Sequence, residues 1–269
     1  MNSVRGYALA AMLSLLLAAC AGLDGGAGFA GDGAMSRPLS DTTPAAGAET
    51  RARVHVDLGS AYFEVGRYDV ALDEARIALK ESPDYPPAHH LLGLAYMLVG
   101  ETAQARKGFE QALRQAPGDP EFNNSYGWFL CTQGEERRGL ERLAAAARNP
   151  YYRYPTRSHV NAGWCHLRLG DDAAAQQSFM AALAADSANL EALYALAEIA
   201  YRAADYERAH ALLIRVHQLG APTPASVWLG LRTARRLGRA DAESSYAAQL
   251  GSRFEGSDEY HKMKRGEFE

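Results

Sequence analysis

The chain has 269 residues, 48% of them hydrophobic and 22% charged, with a net charge of −4. That is a globular composition without the basic excess that nucleic-acid binding requires. Three cysteines are too few for a disulfide scaffold or a four-cysteine zinc site, and no apolar run reaches the ~20 residues of a bilayer-crossing helix.

Residues 1–19 read as a lipoprotein signal peptide. Arg5 supplies a basic start, and residues 7–19 are apolar except for Ser14. The stretch Leu17-Ala18-Ala19-Cys20 resembles a bacterial lipobox, which implies cleavage before Cys20 and acylation of that cysteine. Ala21 stands where lipoproteins retained in the inner membrane resemble a Cys-Asp start. The implied destination is the outer membrane, lipid-anchored and facing the periplasm. Residues 20–51 are expected to be the lipidated cysteine and a flexible tether. Residues 21–50 hold seven glycines and seven alanines, with no helical or alternating pattern. A flexible segment of that length spans roughly 30 Å r.m.s..

From Ala52 the sequence resembles itself at a period of 34. Leu58-Gly59, Tyr62, Ala71, Ala78 and Pro83 recur as Leu92-Gly93, Tyr96, Ala105, Ala112 and Pro117, with Phe109 four residues after Ala105. This is the tetratricopeptide signature. Gly59, Gly93, Ala71 and Ala105 let the two helices of a unit approach. Leu58, Leu92, Tyr62 and Tyr96 are expected to fill the space between helices. Gly66 and Gly100 suit the left-handed end of a first helix, and Pro83 and Pro117 stop the second.

Looser copies start at Tyr126-Gly127, Ala162-Gly163, Leu196-Ala197 and Leu229-Gly230. The expected fold is all-α: a tetratricopeptide right-handed superhelix of about six helix-turn-helix repeats, one domain over 52–269. The repeats fall near 52–85, 86–119, 120–155, 156–189, 190–222 and 223–256. A C-terminal cap follows, with Ser257 as N-cap, Asp258 and Glu259 in the first turn and Lys262, Lys264 and Arg265 before Gly266. Two extra residues separate Gly127 from Gly163, placed within 149–155. Gly230 lies 33 residues after Ala197 but Gly238 lies 34 after Ala204, which points to a one-residue irregularity in the sixth repeat.

No GxSxG, phosphate-binding GxxxxGK or HExxH motif is present, and the eight histidines are scattered. His55, His89 and His159 share a repeat position that often carries Trp, which favours packing over metal binding. The expectation is therefore no enzyme, no cofactor, no metal and no small-molecule substrate. Cys131 and Cys165 lie 34 residues apart, late in the first helices of successive repeats. In an oxidising periplasm they read as a disulfide between repeats three and four, or as two buried thiols. First helices line the concave face of such a stack. By repeat position that face includes Phe63, His90, Leu94, Met97 and Asn124, then Trp128, Trp164, Tyr194 and Tyr201. Aromatic and Met side chains there suit a groove for a partner's peptide or helix, or else serve as interior packing. Tyr151, Tyr152 and Tyr154 form a second candidate surface, again with loop packing as the other reading.

The centre of the chain is more particular. Asn123-Asn124-Ser125-Tyr126-Gly127-Trp128-Phe129-Leu130-Cys131 precedes Gly134, then Asn149-Pro150-Tyr151, Pro155 and Asn161-Ala162-Gly163-Trp164-Cys165. In this order the motifs resemble the PilF/PilW family of type IV pilus biogenesis lipoproteins. The end is also similar, with Leu229-Gly230, Tyr246-Ala247 and Arg253-Phe254 before Ser257. Ser125 interrupts the family's Asn-Asn-Tyr-Gly order, and Glu255-Gly256 replaces a turn that usually contains proline. The resemblance implies a pilotin that binds the pilus secretin and promotes its outer-membrane localisation and multimerisation. The alternative is another tetratricopeptide lipoprotein, such as an outer-membrane assembly component or a regulator of a peptidoglycan enzyme.

Overall fold

The computed structural model describes residues 35–41 and 47–269. Residues 1–19 and Cys20, and with them the expected signal peptide and lipidation site, lie outside the described residues. The described residues contain thirteen α-helices, one short 3-10 turn and no strand. Twelve helices pair into six antiparallel hairpins: α1 (Ala48–Glu64) with α2 (Tyr68–Glu81), α3 (Pro86–Leu98) with α4 (Thr102–Gln115), and α5 (Pro120–Thr132) with α6 (Glu136–Arg148). The series continues with α7 (Pro155–Arg168) and α8 (Asp172–Ala185), α9 (Leu190–Arg202) and α10 (Tyr206–Leu219), and α11 (Pro224–Arg236) and α12 (Ala240–Arg253). A last helix, α13 (Asp258–Arg265), packs on α11 and α12.

The same local chemistry ends every first helix. The residue after its C-cap takes the left-handed conformation, with φ of 78° at Gly66, 82° at Gly100 and 81° at Gly134. The next amide then reaches back to the helix, as Arg67 N–H does to the Tyr62 carbonyl at 2.9 Å and Glu135 N–H to that of Leu130 at 2.9 Å. In the fifth repeat Ala204 holds this place at φ 59° and is the one non-glycine with positive φ among the described residues. Prolines open α3, α5, α7 and α11, where no intrahelical amide bond is lost.

Helices within a hairpin pack through small residues. A Cβ on Gly108 would lie 2.7 Å from the Gly93 nitrogen and 2.8 Å from the His89 carbonyl, so α3 and α4 meet backbone to backbone. Ala71, Ala105, Ala175 and Ala209, at one position in repeats one, two, four and five, are wholly buried. Between repeats, α1 touches α3, α3 touches α5, α5 touches α7 and α9 touches α11. Successive second helices make no comparable contact. Elements on the inside of a curved stack lie closer together, so the first helices form its inner face. The molecule is thus a tetratricopeptide superhelix, each unit burying its apolar stripe against its neighbours.

Three expectations need correction. First, the expected tether through residue 51 is structured where it is described. Residues 35–41 lie against the third repeat, and α1 begins at Ala48. Composition missed this because the segment is held through single backbone groups and not through a periodic side-chain face. Second, Leu58 is 44% exposed, while Tyr126 and Leu196 in the same register are 3% exposed. This position packs toward the preceding repeat, and the first repeat has none before it among the described residues. Third, the sixth repeat has no slipped residue. Helices α9 and α11 both start and end 34 apart, as do α10 and α12. Gly230 stands one place earlier because the Tyr246 ring lies against it, 2.6 Å from where a Cβ would sit.

The insertion lies between α6 and α7. That junction spans residues 149–154, six residues, whereas the others (82–85, 116–119, 186–189 and 220–223) have four.

Candidate partner-binding groove

A cavity of about 350 Å³ opens on the inner face of repeats one to four. Helix periodicity builds its walls. On α3, His90, Leu94 and Met97 follow at i, i+4 and i+7. On α5, Glu121, Asn124, Ser125 and Trp128 follow at i, i+3, i+4 and i+7. Phe63 of α1, Tyr152 of the 149–154 loop, and Arg157 and Asn161 of α7 complete the lining. Six of the nine expected groove residues therefore meet in one cavity: Phe63, His90, Leu94, Met97, Asn124 and Trp128. Sequence reasoning missed Glu121, Ser125, Arg157 and Asn161. The helical spacing around Asn124 and Trp164 was the signal that could have found them.

The other three expected residues lie further along, packed against the apolar cluster of repeats four and five. Trp164 donates its indole N–H to Glu191 Oε1 at 2.6 Å and meets the Phe179 ring edge-on at 5.4 Å. Tyr194 donates to Glu198 Oε1 at 2.9 Å, and Tyr201 carries the Arg232 guanidinium 4.5 Å above its ring. Their positions turn away from the cavity because successive repeats rotate along the superhelix. Tyr152 also departs from its expected grouping. It is buried, which pushes its hydroxyl pKa up to about 12, while Tyr151 and Tyr154 are half exposed.

Polar groups in the wall are tied to the frame. The Asn124 side-chain carbonyl accepts from Ser158 Oγ at 2.9 Å and Asn161 Nδ2 at 3.1 Å, coupling α5 to α7. The ring of His90 lies 4.6 Å from that of Phe122, its Nε2 buried without a hydrogen-bond partner. Desolvation pushes its pKa down to about 3, so the ring is neutral at ordinary pH. Burial raises the Glu121 carboxyl, and the nearby charges of Asp119 and Asp41 add to that shift.

Cys131 of α5 and Cys165 of α7 are joined in a disulfide, with S–S 2.04 Å and Cα–Cα 5.5 Å, in an apolar patch with Leu143. The bond sits one helical turn from Trp128 and Asn161. It therefore sets the separation of the two helices that carry the polar half of the groove. His55 and His89 pair with local groups, Glu74 Oε2 at 2.6 Å and the Pro83 carbonyl at 3.0 Å. Among the described residues no three His, Cys, Asp or Glu side chains converge on a metal-sized point. An apolar wall facing a polar one suits an amphipathic peptide segment.

Comparison with known proteins matches this architecture. Tetratricopeptide repeat family models match residues 62–129 and 156–189. The type IV pilus assembly protein PilF of Pseudomonas aeruginosa is 26% identical over 210 residues, 78% of this chain and 83% of PilF. The crystal structure of PilW, described as a widely conserved type IV pilus biogenesis factor, superposes with a TM-score of 0.74 at 26% identity. That match covers 79% of this chain and 98% of PilW. The structure of Pseudomonas aeruginosa PilF does so with a TM-score of 0.74 at 25% identity, over 81% of this chain and 99% of that one. This chain is similar to PilF and PilW and shares their tetratricopeptide-repeat architecture.

Proposed function

We propose that the protein acts in type IV pilus biogenesis as a non-catalytic protein-binding scaffold. In this reading it is an outer-membrane lipoprotein, held by acyl chains on Cys20 and facing the periplasm. It binds the pilus secretin through the groove of repeats one to four and promotes the secretin's outer-membrane localisation and multimerisation. No cofactor, nucleic acid or small-molecule substrate enters. The supporting observation is the similarity to PilF and PilW over about four-fifths of the chain. The groove supplies the chemistry: Leu94, Met97 and Trp128 are apolar anchors, and Glu121, Asn124 and Asn161 are polar groups that fix orientation. Several acyl chains, at roughly 0.8 kcal/mol per buried CH₂, would make the anchor stable.

The test is secretin multimer content in fractionated membranes, with and without this protein and with a Cys20→Ala form. Loss of outer-membrane multimers on deletion supports the reading. Multimers that persist but shift to the inner membrane with Cys20→Ala assign sorting to the lipid and assembly to the repeats. Unchanged multimers in the deletion strain would remove the secretin from the proposal.

A further inference from the structure

In a repeat stack each unit touches only its neighbours. Residues 35–41 depart from that rule. They precede the first repeat, yet the groups that hold them come 80 to 114 positions later. The Leu39 amide donates to Asp119 Oδ2 at 2.8 Å, and the Ser40 hydroxyl donates to Glu121 Oε2 at 3.1 Å. The Asn149 side-chain amide donates to the Ser36 carbonyl at 2.9 Å. Asp41 pairs with Arg153 at 3.2 Å, and the Arg37 guanidinium lies 5.2 Å from the centre of the Tyr151 ring. Pro38 is buried, and Leu39 packs against the apolar cluster that contains Phe122.

The holding groups are specialised. Asn149, Tyr151 and Arg153 belong to the inserted loop, which the other repeat junctions do without. Asp119 is wholly buried, and desolvation raises its pKa despite three amide donors. Its Oδ1 caps α5 by accepting from the Glu121 and Phe122 amides, while Oδ2 accepts the Leu39 amide. A buried acceptor and a buried amide donor, set to receive an N–H and a C=O three residues apart, read peptide backbone and not a particular side chain.

The site also adjoins the groove. Leu39 and Ser40 line a second cavity that shares His90, Leu94 and Glu121 with the first. We propose that Asp119, Glu121, Asn149, Tyr151 and Arg153 form a binding site for a short peptide that ends in a tight turn, as Leu39–Asp41 does. Residues 36–41 are its internal occupant, and they close one end of the groove to a partner segment until displaced. This goes beyond the secretin reading and holds for whichever protein the groove takes.

An occupant attached through a short linker acts at an effective concentration of about 1 mM. Against a free peptide with a Kd near 0.1 mM it would raise the apparent Kd about tenfold. The probe is a labelled synthetic peptide with the sequence of residues 35–41, titrated into the full chain. Arg37→Ala, Leu39→Ala and Asp41→Ala, combined in one variant, weaken the internal occupant without touching the repeats. The variant is expected to bind the probe about tenfold more tightly than the unmodified chain. Adding Asn149→Ala or, where that perturbs the fold, the exposed Tyr151→Ala should remove the gain. The backbone amide at position 39 should exchange slowly in the unmodified chain and at a random-coil rate in the triple variant, where alanine stands there. Equal probe affinity in both proteins, or random-coil exchange of Leu39 in the unmodified chain, would overturn the proposal.

Discussion

Repeats one and two and the junction of repeats three and four are held by different physics. In the first pair, Ala52, Ala71, Ala75, Ala78, Ala88, Ala95, Ala105 and Ala112 are wholly buried, and α3 meets α4 at backbone distance. Of the seven buried polar residues among those described, only Asp119, the N-cap of α5, falls at its edge. Five of the seven, Asp119, Asn123, Asn124, Asn149 and Ser158, lie at the central junction with the disulfide. Small-residue packing is generic and works at every repeat. A buried polar network must be satisfied group by group, so it specifies one geometry for one junction. That junction also borders the groove and grips the N-terminal segment, so binding geometry is concentrated where the stack is least regular.

Reduction is the strongest way to break this contrast. Opening the 34-residue loop, or replacing both cysteines with alanine, is expected to lower stability by about 3–4 kcal/mol. Denaturant unfolding with and without reductant measures it. Amide exchange should quicken in α5 and α7 before it does in α1 to α4. A loss under about 1 kcal/mol would mean that the polar network alone holds the junction.

Acid, by contrast, should act on the whole stack. Burial lowers the pKa of His89, His90, His159, His166, His210 and His217, spread over three repeats. In the unfolded chain such groups titrate near 6.5, so below that pH the unfolded state binds more protons than the folded one. Stability from this source is whole above pH 6.5 and falls as pH drops. For His90 the decline continues to about 3. Its share is roughly 3 kcal/mol by pH 4. His90→Phe should flatten the pH dependence of the unfolding midpoint between 6 and 4. An unchanged slope would show that the ring is solvated.

The polar network can be tested one atom at a time. Asn124→Ala leaves the Ser158 hydroxyl and the Asn161 amide without their acceptor and should cost about 1–3 kcal/mol. The neighbouring half-exposed Ser125→Ala should stay within about 0.5 kcal/mol. Equal effects at the two sites would erase the distinction between network and lining.

The smallest expected effect lies in the regular part. Ala204→Gly should stabilise by about 1 kcal/mol, because it relieves the left-handed alanine where the other five repeats carry glycine. A thermal shift upward would confirm it, and a downward shift would mean that the alanine methyl makes compensating contacts.

Much of the fold was legible before any coordinates. The 34-residue period, the Gly66 and Gly100 turns and the Ser257 cap are local signals. Each depends on residues within a few positions, and Ser257 does accept the Tyr260 amide at 3.2 Å. The groove was legible in part. Phe63, His90, Leu94, Met97, Asn124 and Trp128 share a cavity because helical spacing puts them on one face. Trp164, Tyr194 and Tyr201 occupy comparable repeat positions, but superhelical rotation carries them elsewhere, and a period alone does not report its magnitude.

Sequence by itself determined the repeat, its turns and the small residues that let paired helices touch, because each follows from backbone sterics and a side-chain period. Tertiary structure alone decided what crosses that period. It placed Leu39 on Asp119 and Ser36 on Asn149, left Leu58 open at the stack's first unit and buried Tyr152 while Tyr151 stayed exposed. Those outcomes depend on which surfaces meet after the stack has formed. Hydrogen bonds between residues some 80 to 113 positions apart leave no periodic trace in the chain that makes them.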